Sequence, residues 1–85
     1  MITVRCFGHI ATSLGMEEVK LDGANLDASE IVERVRSLSR EEDPGFTKYN
    51  TLVMVEDGEA FVPAGTKRIV GANKRVVLIP FSHGG

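Results

Sequence analysis

Asp27-Ala28-Ser29-Glu30-Ile31-Val32-Glu33-Arg34-Val35-Arg36-Ser37-Leu38-Ser39 is the stretch on which the fold turns. Its apolar residues Ala28, Ile31, Val32, Val35 and Leu38 recur at i, i+3, i+4, i+7 and i+10, which gathers them on one stripe of an α-helix. Glu30, Glu33, Arg34 and Arg36 fall largely off that stripe. Asp27 and Glu30 have the spacing of a capping box, in which each satisfies a backbone N–H that the first turn leaves unpaired. The pattern predicts a helix from about Ala28 to Ser39. It ends there because Arg40 to Gly45 loses the stripe and carries Pro44 and Gly45 together.

On either side of this helix the period changes to two, the signature of strands. Ile2, Val4 and Cys6 alternate with Thr3 and Arg5, which predicts a strand from Met1 to about Phe7. Gly8 to Gly15 reads as a connection with a glycine at each end and His9 in a turn. Met16 to Leu21 alternates again, with Met16, Val19 and Leu21 apolar, and Asp22-Gly23 closes it. Beyond the helix, Leu52 to Val55 runs into the turn Glu56-Asp57-Gly58-Glu59, and Ala60-Phe61-Val62 returns until Pro63 stops it. Ala64 to Asn73 reads as irregular, or as containing a short turn of helix. Val76 to Ile79 is the last strand, with pairing expected to end at Pro80. The expected architecture is α+β, a mixed four- to five-stranded sheet packed on one main helix. A single domain spans residues 1–80 and a flexible tail 81–85.

Eighty-five residues allow one domain with a thin core. One cysteine and two separated histidines offer neither an internal disulfide nor a metal cluster, so packing must hold the fold. Cys6 shares a side of its strand with Ile2 and Val4, which favours burial over redox chemistry. A net charge of -2 lacks the concentrated basic surface that phosphate binding requires, so no direct nucleic-acid partner is expected. The chain opens on Met1-Ile2-Thr3-Val4 without a basic and apolar leader, and no stretch approaches the ~20 apolar residues of a membrane span. A cytoplasmic protein, monomeric when free and without membrane contact, is the expectation. The sequence has no paired-carboxylate, nucleophile–base or phosphate-loop signature that would mark an enzyme.

Leu52 to Val55 and Val76 to Ile79 are apolar at every position, as central strands covered on both faces are. One helix covers only one face. Either the Arg40 to Asn50 segment, with Phe46 and Tyr49, folds over the second face, or an apolar patch stays open there for a partner. The candidate partner contacts are Phe61, Val77, Ile79 and Phe81, with His83 beyond them. Lys67, Arg68, Lys74 and Arg75 form two basic pairs that could meet an acidic surface or simply be solvated.

After Pro80 the sequence reads Phe81-Ser82-His83-Gly84-Gly85. Two glycines supply a narrow, side-chain-free approach with unrestricted φ and ψ, which suits a carboxylate that must enter another protein's nucleotide site. A frayed end without a role is the alternative.

Taken together, Ile2-Thr3-Val4-Arg5-Cys6-Phe7-Gly8, Val53-Met54-Val55-Glu56-Asp57-Gly58 and Val76-Val77-Leu78-Ile79-Pro80 leading to Gly84-Gly85 resemble the ubiquitin-like β-grasp family. That family includes the molybdopterin-synthase small subunit, the thiamine-biosynthesis sulfur carrier, the ubiquitin-related sulfur carrier and the small archaeal modifier proteins. The ending Ser82-His83-Gly84-Gly85 is similar to that of the ubiquitin-related sulfur carrier. The chain departs from many relatives at Ala72-Asn73-Lys74-Arg75, where they have an acidic turn, and at His9-Ile10-Ala11-Thr12, where molybdopterin-synthase subunits often have an Arg-Glu pair.

The resemblance implies a carrier with no bound cofactor and no catalytic residue of its own. A ubiquitin-activating-like adenylyltransferase would use ATP to adenylate the Gly85 carboxylate. Sulfur would then give a thiocarboxylate for a sulfur-accepting synthase or a tRNA thiolation enzyme, or a lysine of a target protein would give an isopeptide. Lys20, Lys48, Lys67 and Lys74 are candidate acceptors within the chain itself. The rival reading is a β-grasp interaction module with no C-terminal chemistry.

Overall fold

A computed structural model of the chain describes residues 1–23, 25–65 and 68–81. The elements are β1 (Ile2–Cys6), α1 (Gly8–Leu14), β2 (Glu18–Leu21), β3 (Leu26–Asp27), α2 (Ala28–Ser37), β4 (Thr51–Asp57), β5 (Ala60–Pro63), β6 (Ile69–Val70) and β7 (Arg75–Pro80). Five strands form one mixed sheet in the order β2-β1-β7-β4-β5. The two strands nearest the ends of the sequence, β1 and β7, lie parallel at its centre, with Val4 opposite Val76 and Cys6 opposite Leu78. The other pairs are antiparallel.

The core lies between α2 and one face of this sheet. Ile31, Val32 and Val35 of α2 are fully buried with Ile2, Val4, Val53, Val55, Val76 and Leu78 of the strands. The capping box at the start of α2 is formed, with the Glu30 N–H donating to Asp27 Oδ1 at 2.8 Å and the Asp27 N–H to Glu30 Oε1 at 3.3 Å. The helix stops at Ser37, two residues short of the expected Ser39, and Leu38 at its C-cap is half exposed rather than on the buried stripe.

Several expectations are corrected. Gly8 to Gly15 is not an open connection, because Gly8–Leu14 is the short helix α1, with His9 on its exposed side. Ile10 and Leu14 at i and i+4 go into the core, buried Ser13 between them donates its hydroxyl to the Ile10 carbonyl at 3.0 Å, and Gly15 (φ +73) ends the helix in the left-handed conformation. Strand β2 begins at Glu18, leaving Met16 about half exposed. The span 64–73 contains β6, which pairs with β3 as a two-stranded ladder that buries Leu26 and Val70. Neither Pro63 nor Pro80 stops its strand before itself. Pro63 pairs with Met54 on the sheet edge, and Pro80 pairs with Thr51. The Phe81 N–H still donates to the Asn50 carbonyl at 2.8 Å, so by alternation the N–H that Pro80 lacks would face β1, which has already ended at Cys6.

The second face of the sheet departs most from expectation. Strands β4 and β7 are buried on one side only, where Val53, Val55, Val76 and Leu78 point, while Leu52, Met54 and Val77 are half-buried and Ile79 is exposed. The Arg40 to Asn50 segment does not cover them. Phe46 is fully buried in the helix-side core, its carbonyl accepting from Arg36 Nε at 2.6 Å, and Tyr49 is 81% exposed. One helix, two short flanking elements and a loop suffice for one face, and no described segment covers the other.

Candidate functional site

Strand register places the side chains of the open face in rows. Glu56 lies opposite Phe61, Met54 lies between Val77 and Pro63, and Leu52 lies opposite Ile79. On the other flank Arg5 lies opposite Val77 and Glu18. The expected contacts Phe61, Val77 and Ile79 therefore share one face. Phe81 follows Ile79 by two residues and its N–H extends the ladder, so Val77, Ile79 and Phe81 form a stripe along the last strand. Phe61, Ile79 and Phe81 are 39%, 37% and 48% exposed, which makes the stripe an apolar surface facing solvent. His83, Gly84 and Gly85 lie outside the described residues.

Arg5 and Phe7, to which the sequence assigned no contact, join residues that it did single out on this face. A depression of about 330 Å³ opens on it, lined by Arg5, Phe7, Phe61, Arg75 and Val77 among others. Arg75 donates from Nε to Glu56 Oε2 at 2.9 Å, and the Arg5 guanidinium stands 5.8 Å from the Phe7 ring centroid and 3.8 Å from a Glu17 carboxylate oxygen. These pairs sit at the rim, where an ion pair contributes at most about 1 kcal/mol to stability. Their effect is to hold two planar cations beside an aromatic and aliphatic floor. The alternation Thr3-Val4-Arg5-Cys6 already pointed Arg5 away from the core. Its proximity to Phe61, three strands away, depends on the strand order and has no local signal.

Cys6 lies on the opposite, buried side of β1, 2% exposed, and burial pushes its thiol from 9.0 up to about 11. It is therefore a protonated core residue at neutral pH rather than a nucleophile. Among the described residues no group of three His, Cys, Asp or Glu could hold a metal ion. Among the basic residues, Arg75 has its partner in Glu56, Lys74 and Arg68 are exposed, and Lys67 lies outside the described residues. Of the candidate acceptor lysines, Lys20 and Lys74 are exposed, while Lys48 is half-buried with Nζ 5.4 Å from the Tyr49 ring centroid.

The crystal structure of SAMP1 from Haloferax volcanii superposes on the chain with a TM-score of 0.71, covering 99% of this chain and 98% of that one at 16% identity. The chain has the ubiquitin-like β-grasp fold. A crystal structure of H. volcanii small archaeal modifier protein 1 gives the same TM-score of 0.71 at 15% identity, over 95% of this chain and 97% of that one. At this identity the likeness is one of architecture, and it agrees with the fold that the sequence resemblance implied. No protein-family model and no curated protein matches the chain. No described helix is long and apolar enough to cross a membrane.

Proposed function

We propose that the chain is a ubiquitin-like carrier that docks through its open sheet face and is activated at the Gly85 carboxylate. One observation carries this reading. The stripe Val77-Ile79-Phe81 lies on the strand that leads directly into Ser82-His83-Gly84-Gly85, so a partner that grips the stripe has the glycines within reach. Four residues extend at most about 14 Å beyond Phe81, which confines the carboxylate to the neighbourhood of the docked face.

In this reading a Gly85 carboxylate oxygen attacks the α-phosphorus of ATP in a ubiquitin-activating-like adenylyltransferase, and pyrophosphate leaves. The carbonyl carbon then accepts a nucleophile and AMP departs, so that one hard acyl substitution becomes two easier ones. Attack by sulfur gives a thiocarboxylate, for delivery to a sulfur-accepting synthase or a tRNA thiolation enzyme. Attack by a target lysine amine gives an isopeptide. The small archaeal modifier proteins to which the fold is similar favour conjugation as one outlet, and the His-Gly-Gly ending favours sulfur transfer as the other. The chain contributes recognition and the acyl group and performs no turnover alone.

The test is pyrophosphate exchange into ATP by an activating enzyme of the same cell, measured with the chain and with a variant lacking Gly84 and Gly85. Exchange should depend on the intact chain. Equal exchange with both, or with neither, would leave the interaction-module reading in its place.

A further inference from the structure

Phe81 is the last described residue, and the structure clamps it and its predecessor from both sides. On the β4 side the Phe81 N–H donates to the Asn50 carbonyl at 2.8 Å. Asn50 in turn organises the loop before β4. Its Oδ1 accepts from the Thr47 N–H at 2.7 Å and from the Thr51 hydroxyl at 3.3 Å, its Nδ2 donates to the Gly45 carbonyl at 3.2 Å, and its N–H donates to the Thr47 carbonyl at 3.2 Å. The loop is tied to the core through buried Phe46 and the Arg36 bond to the Phe46 carbonyl. On the β1 side Pro80 packs against Gly8, where an added Cβ would stand 2.9 Å from Pro80 Cγ and where φ is +58. The Phe7 N–H donates to the Leu78 carbonyl at 3.2 Å just before that contact.

The Asn50 side chain is costly to place by chance. It is half-buried and makes three hydrogen bonds, two within the loop that carries the acceptor for Phe81 and one to Thr51 at the start of β4. We propose that Asn50, opposed by Gly8, is a positioning residue that holds Phe81 in the ladder beside β4 and so fixes the point from which the chain continues towards Gly85. Its consequence for activation rests on the carrier reading above. Docking strength is shared by Phe61, Val77, Ile79 and Phe81, so that Phe81 supplies only part of it, whereas the time that the carboxylate spends at the reacting atoms depends on where the residues after Phe81 start. A tail that starts from a frayed rung has a lower effective concentration at the nucleotide, a loss that falls on the chemical step rather than on complex formation.

The experiment compares the full chain with Asn50→Ala, Asn50→Asp and Gly8→Ala in two measurements. Amide hydrogen exchange should be faster at Phe81 by about tenfold or more in Asn50→Ala, with the amides of Val53 and Val76 unchanged. Unchanged exchange at Phe81 overturns the proposal, and this arm is independent of any activating enzyme. In pyrophosphate exchange, Asn50→Ala and Gly8→Ala should lower kcat about tenfold, with a smaller rise in the KM for the carrier from the loosened Phe81 contact. Asn50→Asp, which keeps the acceptor for Thr47, should recover part of the rate. A rise in KM without a fall in kcat, or no effect on either, overturns the positioning role. Loss of the folded signal in Gly8→Ala would leave the Asn50 pair to decide. If the parent chain itself supports no exchange, the carrier reading fails, and Phe81 protection still decides whether Asn50 sets the exit.

Discussion

Ile79 and Val4 are both β-branched or aliphatic strand residues, yet one is 37% exposed and the other fully buried, and that difference separates docking from stability. An aspartate at position 79 meets water in the free protein. Ile79→Asp should therefore cost about 1–2 kcal/mol of stability, well short of unfolding the chain, whereas a charge at the fully buried Val4 would cost several. In a complex that covers the stripe it would desolvate a charge, so the KM of the activating enzyme for the carrier should rise about tenfold or more, with kcat little changed. An unchanged KM would remove Ile79 from the interface. Cys6 gives a second test at this scale. The fold raises its thiol from 9.0 to about 11, so between those values the folded state holds a proton that the unfolded state releases. Stability should be insensitive to this group below pH 9.0 and should fall as the pH rises towards about 11, and Cys6→Ala should flatten that slope in denaturant titrations. The inward side of Cys6 was legible from the alternation of Ile2, Val4 and Cys6. The placement of Arg5 and Arg75 beside Phe61 and Val77 around one depression was not, because it depends on strand neighbours far apart in sequence.

At the scale of elements, α2, β1 and β2 were legible from their periods and β4 and β7 from continuous apolar runs bounded by turns, and the capping box at Asp27 marks the start of α2 by a local hydrogen-bond pattern. Helix α1 escaped because seven residues carry barely two turns of periodicity, and its buried positions include a serine whose hydroxyl is satisfied by its own helix. The β3–β6 ladder is two residues long on each side and has no pattern to read. The apolar character of Phe46 pointed to the uncovered second face of the sheet, whereas packing places it in the core on the α2 side, a partner that no local pattern signals. The energetics of these features differ. Asp27→Ala should cost about 1 kcal/mol, since it removes one cap bond at an exposed helix start. Phe46→Ala should cost about 3–5 kcal/mol, because it empties a fully buried site. Chemical denaturation would rank them, and a Phe46 cost no larger than the Asp27 cost would contradict the placement of this loop in the core.

For the whole molecule, the arrangement is a sheet with one face committed to the core and the other open, and with its C-terminal strand at the centre. Among the described residues the buried core runs from Ile2 to Leu78, and neither Ile79 nor Phe81 belongs to it. Stability and the proposed chemistry are thereby separable, and removal of Gly84 and Gly85 should leave the melting temperature unchanged. The most direct measurement is the intact mass of the full chain after incubation with an activating enzyme of its own cell, ATP and sulfide, beside the variant lacking Gly84 and Gly85. The account predicts a product of the full chain alone in which one oxygen has been replaced by sulfur. Failure to form any adenylate, thiocarboxylate or lysine conjugate, or an equal mass change in the truncated variant, would contradict it.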